Sequence, residues 1–171
     1  YQNIACVHSV AELARIKGLG TAKAATILAA LELGKRVAAA KRQEKFKVAS
    51  PQNGAELLLP RLRYERQEKF LVVLLDSKNQ VLRIEQVSEG SVNSSVVHPR
   101  EVFAPALLYH AAAILVAHNH PSGDPKPSCE DKELTQSLAE TGVIMGIPLV
   151  DHLVIGDGIF FSFREHGYLD K

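Results

Sequence analysis

Two kinds of apolar pattern run along the chain. In the first fifty residues apolar positions recur only at helical spacing, whereas from residue 51 short unbroken apolar runs alternate with longer amphipathic stretches. Ser50-Pro51 is a helix-opening pair, and it predicts a short helix over Pro51–Arg63. Phe70–Asp76 (FLVVLLD) reads as a strand, Ser77–Gln80 as a hairpin turn and Val81–Val87 as a second strand. Pro99 opens an amphipathic helix through Ala111, and Ala113–Ala117 reads as a buried strand. Cys129–Thr141 reads as a helix. The tail holds two strand-like runs, IPLVDHLVIG and IFFSF, parted by Asp157-Gly158. Helices and strands mingle without a regular βαβ alternation, so the expected class is α+β, a mixed sheet flanked by helices.

Ahead of that domain the pattern predicts a helical hairpin. Ser9-Val-Ala-Glu12 has capping-box spacing, Gly18-Leu19-Gly20 stops the first helix, and Thr21 caps a second. The second helix carries Ala24, Ile27, Leu28 and Leu31 on one face. The polar, basic stretch AAAKRQEKFKVASPQNG places a linker near residues 42–50, between a module over 1–45 and a domain over 50–171.

Charge sharpens this division. The formal net charge is only +1, yet residues 1–50 carry nine Lys and Arg against three Glu, a local +6, which leaves −5 for the remainder. With 46% hydrophobic and 23% charged residues the composition is that of a globular protein. No apolar run approaches the ~18–20 residues that span a bilayer, so no membrane role is expected. Nothing at the N-terminus has signal-peptide layout, although the chain starts at Tyr1 and not Met. The two cysteines, Cys6 and Cys129, form no CxxC pair, which favours a reducing cytoplasm.

The stretch IKGLGTAKAATIL resembles a helix-hairpin-helix motif. Gly18 and Gly20 would let a phosphate approach the backbone, the following helix N-terminus offers free N–H groups, and Lys17 and Lys23 add charge. The implied partner is DNA, read through its backbone. A plain αα-hairpin docked on the main domain fits the same residues.

The densest chemistry lies at His118-Asn119-His120. Residues i and i+2 of a strand share a face, so both imidazoles can meet one ion. Pro121, Gly123, Pro125 and Pro127 force an irregular loop, and Ser128 and Asp131 open the next helix. Two imidazoles and a carboxylate leave a tetrahedral zinc one open position, the layout of a catalytic site. Ser128-x-x-Asp131 is also an ordinary capping pair, and Cys129 lies among the candidate ligands.

His118-x-His120, seven residues, Ser128, two residues and Asp131 match the JAMM (JAB/MPN) metalloprotease pattern. The strings VHPREVF, AHNHPSGDPKPS and DHLVIGDG resemble the bacterial RadC family within that superfamily, over about residues 50–168, and the hairpin fits a RadC-like N-terminal module. The resemblance implies a JAB/MPN-like fold, one Zn²⁺ per chain on His118, His120 and Asp131, and hydrolysis of a peptide or other amide. It further implies a glutamate on an early strand that takes a proton from the attacking water, and a serine that stabilises the oxyanion. Element order assigns these roles to Glu68 and Ser128, the latter unless its hydroxyl is committed to capping; Glu65 and Glu101 are rivals for the first. Asp151-His152 is a candidate second partner for a ligand histidine, His98 a cap neighbour, and Gly90–Ser94 either the lining of a substrate groove or a turn. The family's repair-linked name sustains another reading, a DNA-binding accessory protein with a structural or vestigial metal site.

Overall fold

Five strands pair into one mixed sheet. The computed structural model describes residues 9–39, 45–90 and 97–169. The chain divides into two compact units, residues 1–44 and 45–171. In the first, α1 (Val10–Leu13) and α2 (Thr21–Ala39) form a hairpin in which Leu13 and Ala24 are buried. Ser9 caps α1 by accepting the Glu12 N–H at 3.2 Å. The first helix is shorter than its pattern suggests. Arg15, Ile16 and Leu19 donate to carbonyls three residues back, so the chain tightens into successive turns before Gly20.

In the second unit the elements are α3 (Pro51–Leu62), β1 (Lys69–Leu75), β2 (Val81–Glu89), α4 (Pro99–Leu108), β3 (Ala113–Asn119), α5 (Cys129–Met145), β4 (Leu149–Ile155) and β5 (Phe160–Ser162). The strand order is β2-β1-β3-β4-β5. All neighbours are antiparallel except β3 and β4, which are parallel and joined through α5. The class is α+β, as the pattern predicts.

Both sheet faces are covered, which is why β1 and β3 read as continuous apolar runs. On one face Leu71, Val73, Leu115 and Leu153 pack under Ala55, Leu58 and Leu62 of α3. On the other, Phe70, Val72, Ile114 and Val116 pack under Val102 and Phe103 of α4 and Leu134 and Leu138 of α5. Strand alternation therefore sends the even-numbered side chains of β1 and β3 toward α4 and α5.

Helix α5 runs through Gly142, where the sequence pattern suggests a stop. A Cβ there would come within 2.7 Å of the Ile147 carbonyl, so the glycine serves close approach of the following chain. The actual stop is Gly146, in the left-handed conformation at φ 67°.

Candidate metal centre

His118 continues the even-numbered series of β3, opposite Phe70 of β1 and stacked on its ring at 6.0 Å between centroids. His120 follows two residues later, just past the strand. The proline-rich loop then carries the chain back so that the N-terminus of α5 faces both imidazoles.

That helix begins with a reciprocal cap. Ser128 Oγ accepts the Asp131 N–H at 3.0 Å, while Asp131 Oδ2 accepts the Ser128 N–H and hydroxyl, each at 2.7 Å. The cap that starts the helix thus also aims its carboxylate. Asp131 Oδ1 lies 3.2 Å from His118 Nε2, Oδ2 lies 3.5 Å from His120 Nε2, and the two Nε2 atoms are 3.1 Å apart. Among the described residues, His118, His120 and Asp131 form a group able to hold an ion, with donor atoms within 4.8 Å of one another.

Donor chemistry fits a zinc-like cation. Ligands at about 2.0–2.1 Å around a tetrahedral ion stand roughly 3.3 Å apart, close to the separations found. His120 Nδ1 is 2.8 Å from the Asp124 carbonyl, which can only accept; Nδ1 therefore carries the proton and Nε2 presents a lone pair. His118 is fully buried and Asp131 nearly so, while His120 is partly open and leaves a side for approach.

Burial by itself would raise the Asp131 carboxyl. Hydrogen bonds with His118, His120 and Ser128 outweigh it and hold the group well below the usual carboxylate range. The Asp131 hydrogen bond raises His120 against the opposing effect of its burial, helped by the Asp124 carbonyl and by the charges of Asp131 and Glu68. His152, fully buried, is pushed well below the ordinary histidine value by desolvation first and by neighbouring His118 next.

Glu68 lies two residues before Phe70, which pairs with His118, and its charge acts on His120. Of the other two candidates, Glu65 pairs with Lys69 at 2.8 Å, and Glu101 pairs with Arg100 at 3.0 Å on the solvent side of α4. The Ser128 hydroxyl is bonded within the cap, where it positions Asp131.

Asp151-His152 divides in two. His152 Nε2 is 2.8 Å from His118 Nδ1, whereas Asp151 accepts from Ser162 and from the backbone N–H groups of His152 and Arg164. His98 is the exposed N-cap of α4 and makes no side-chain cap bond. Cys129 is an exposed free thiol outside the ligand group. Of the Gly90–Ser94 segment only Gly90 lies within the described residues. In the first unit Gly18 has φ 92°, a Cβ at Gly18 or Gly20 would meet open space, and Lys17 and Lys23 are exposed.

Two residues escaped the sequence pattern. Buried Asn119, on the opposite face from its flanking histidines, accepts the Lys69 N–H at 2.9 Å and donates to the carbonyls of Glu65 and Gln67 at 3.2 and 3.1 Å. It staples the segment that carries Glu68. Buried Thr135 lies between Asp131 and His152; its i+4 spacing from Asp131 on one helix face was the available signal.

Comparison with known proteins places the chain in a family. The model of the RadC-like JAB domain matches residues 48–168, most of the chain. A UPF0758 protein of Trichlorobacter lovleyi is 54% identical over 158 residues, covering 92% of this chain and 69% of that protein. One of Caldanaerobacter subterraneus subsp. tengcongensis is 49% identical over 162 residues, covering 95% and 70%, and one of Methanosarcina acetivorans is 46% identical over 161 residues, covering 94% and 70%. A chain that matches the domain model through nearly all of its second unit, and its relatives at this identity, belongs to the RadC-like JAB domain family.

Proposed function

We propose that this protein is a zinc-dependent hydrolase of peptide or other amide bonds. The observation that carries the reading is the convergence of two imidazoles and a buried carboxylate, and the Glu68 charge that acts on His120 supports it. His118, His120 and Asp131 would hold the ion. A zinc ion held there would supply Lewis-acid polarisation of a substrate carbonyl and would acidify a water toward a pKa of about 7. Glu68 takes a proton from the attacking water and returns it to the departing amine. Ser128 keeps Asp131 aimed, and stabilises an oxyanion only after its hydroxyl leaves the cap. The bond that breaks is the amide C–N; the water oxygen ends on the acyl carbon.

The test is a complex peptide mixture incubated with zinc-loaded and chelator-treated protein, with new amino termini counted by mass spectrometry. Zinc-loaded protein is expected to generate termini that disappear on chelation and return with zinc. Absence of cleavage at full zinc occupancy would oppose the hydrolase reading.

A second reading, compatible with the first, is delivery to DNA through the N-terminal unit. The open, positive-φ Gly18 and the exposed Lys17 and Lys23 at the start of α2 support it. Backbone contacts of this type are salt-sensitive. On the full chain, Lys17→Ala/Lys23→Ala is expected to weaken binding to a mixed-sequence duplex and flatten the log–log salt dependence by about 2. An unchanged slope would exclude these lysines from the contact. No helix among the described residues is long and apolar enough to cross a membrane.

A further inference from the structure

We propose that Thr135 and His152 form a buried hydrogen-bond relay that fixes the tautomer of His118, so that its Nε2 faces the metal position with a lone pair. The proposal rests on the metal reading of the site and adds two positioning residues to it, one on α5 and one on β4.

The relay follows from counting protons. Thr135 Oγ1 lies 2.6 Å from the Asp131 carbonyl and 2.6 Å from His152 Nδ1. A carbonyl has no proton to give, so the single hydroxyl proton must lie on that contact. The other short contact then takes its proton from the ring, and His152 is the Nδ1–H tautomer. Its Nε2 is left as an acceptor, 2.8 Å from His118 Nδ1. His118 Nδ1 must therefore carry a proton. The opposite order would set the Thr135 oxygen against the Asp131 carbonyl at 2.6 Å with no proton between them, an uncompensated repulsion in a buried site.

Three features keep the relay in place. Thr135 and His152 are buried, at 2% and 0% exposure, so water does not supply alternative partners. His152 is stacked on Phe163 at 4.8 Å between centroids, and His118 on Phe70, which limits ring rotation. The relay also starts at the main chain of a ligand, because its terminal acceptor is the carbonyl of Asp131. His120 reaches the same Nδ1–H state by a separate route, through the Asp124 carbonyl. Both imidazoles are thereby held for coordination through Nε2, by different partners.

Long-range ¹H–¹⁵N NMR of the wild-type full chain reads which nitrogen of His152 bears the proton, with or without metal. Nδ1–H is expected; Nε2–H would overturn the relay. Zinc affinity by chelator competition gives the second readout. Thr135→Val, which keeps the shape and removes the hydroxyl, is expected to weaken zinc binding by about 10–100-fold. Thr135→Ser restores the hydroxyl and is expected to bind as wild type does. Equal affinity of the Val and Ser variants would refute the role of Thr135, and an unfolded Val variant leaves the decision to the NMR of the wild type. If wild-type protein takes up no zinc, the metal reading fails by itself, and the NMR still decides the relay.

Discussion

Glu68→Gln is expected to lower zinc-dependent amide hydrolysis by about 10²–10⁴-fold, the usual contribution of a positioned acid–base group. That loss corresponds to roughly 3–5 kcal/mol of transition-state stabilisation. Zinc affinity should stay within a few-fold of wild type, because Glu68 is not among the three converging donors. The substitution keeps the size and polarity of the side chain, so the fold should be unaffected. Peptide cleavage and chelator competition on the same preparation check both halves. Glu65→Gln serves as the control. Glu65 is tied to Lys69, and its loss should cost activity far less. If Glu65→Gln were the inactive variant and Glu68→Gln active, the proton would have to travel by the other carboxylate.

Element order is what pointed to Glu68 in the sequence. FLVVLLD is unmistakable as a strand, and element order places the preceding residues beside the histidines. In the structure Phe70 pairs with His118, strand alternation turns the two to one face, and the Glu68 charge acts on His120; the proton-transfer role is what Glu68→Gln tests. The same alternation concealed Asn119. As the middle residue of His118-Asn119-His120 on a strand, it faces away from both imidazoles. There it satisfies three backbone groups around Glu68, a long-range arrangement that no local pattern encodes.

Ser128 presents the reverse situation. Its capping spacing and its place in the family motif both stand in the sequence, and the structure unites them in one group of hydrogen bonds. Local rules also faltered where tertiary contact overrode them. Gly142 reads as a helix end but sits within α5 because the returning chain needs the space of a side chain. Thr135 was missed for a related reason. Threonine inside a helix is ordinary, and only the parallel pairing of β3 with β4 brings His152 against it.

The second large effect concerns stability and separates a catalytic ion from a structural one. Zinc at a hundredfold excess over its dissociation constant should stabilise the wild-type domain by about 2.7 kcal/mol. For a unit of this size each kcal/mol moves the melting temperature by roughly 3–5 °C, so a rise of about 10 °C is expected by calorimetry. His118→Ala/His120→Ala should abolish that rise altogether. The chelated wild type should nevertheless remain folded. Its core rests on two apolar clusters on opposite faces of the sheet, and Asp131 is held by the Ser128 cap through bonds that require no ion. Zinc fingers behave differently, since they lack such a core and unfold without metal. Unfolding of the wild type on chelation would therefore assign the ion a structural role, and the accessory-protein reading would take precedence. A folded, metal-free domain that regains its higher melting temperature with zinc would mark a preformed site with a coordination position left for substrate chemistry.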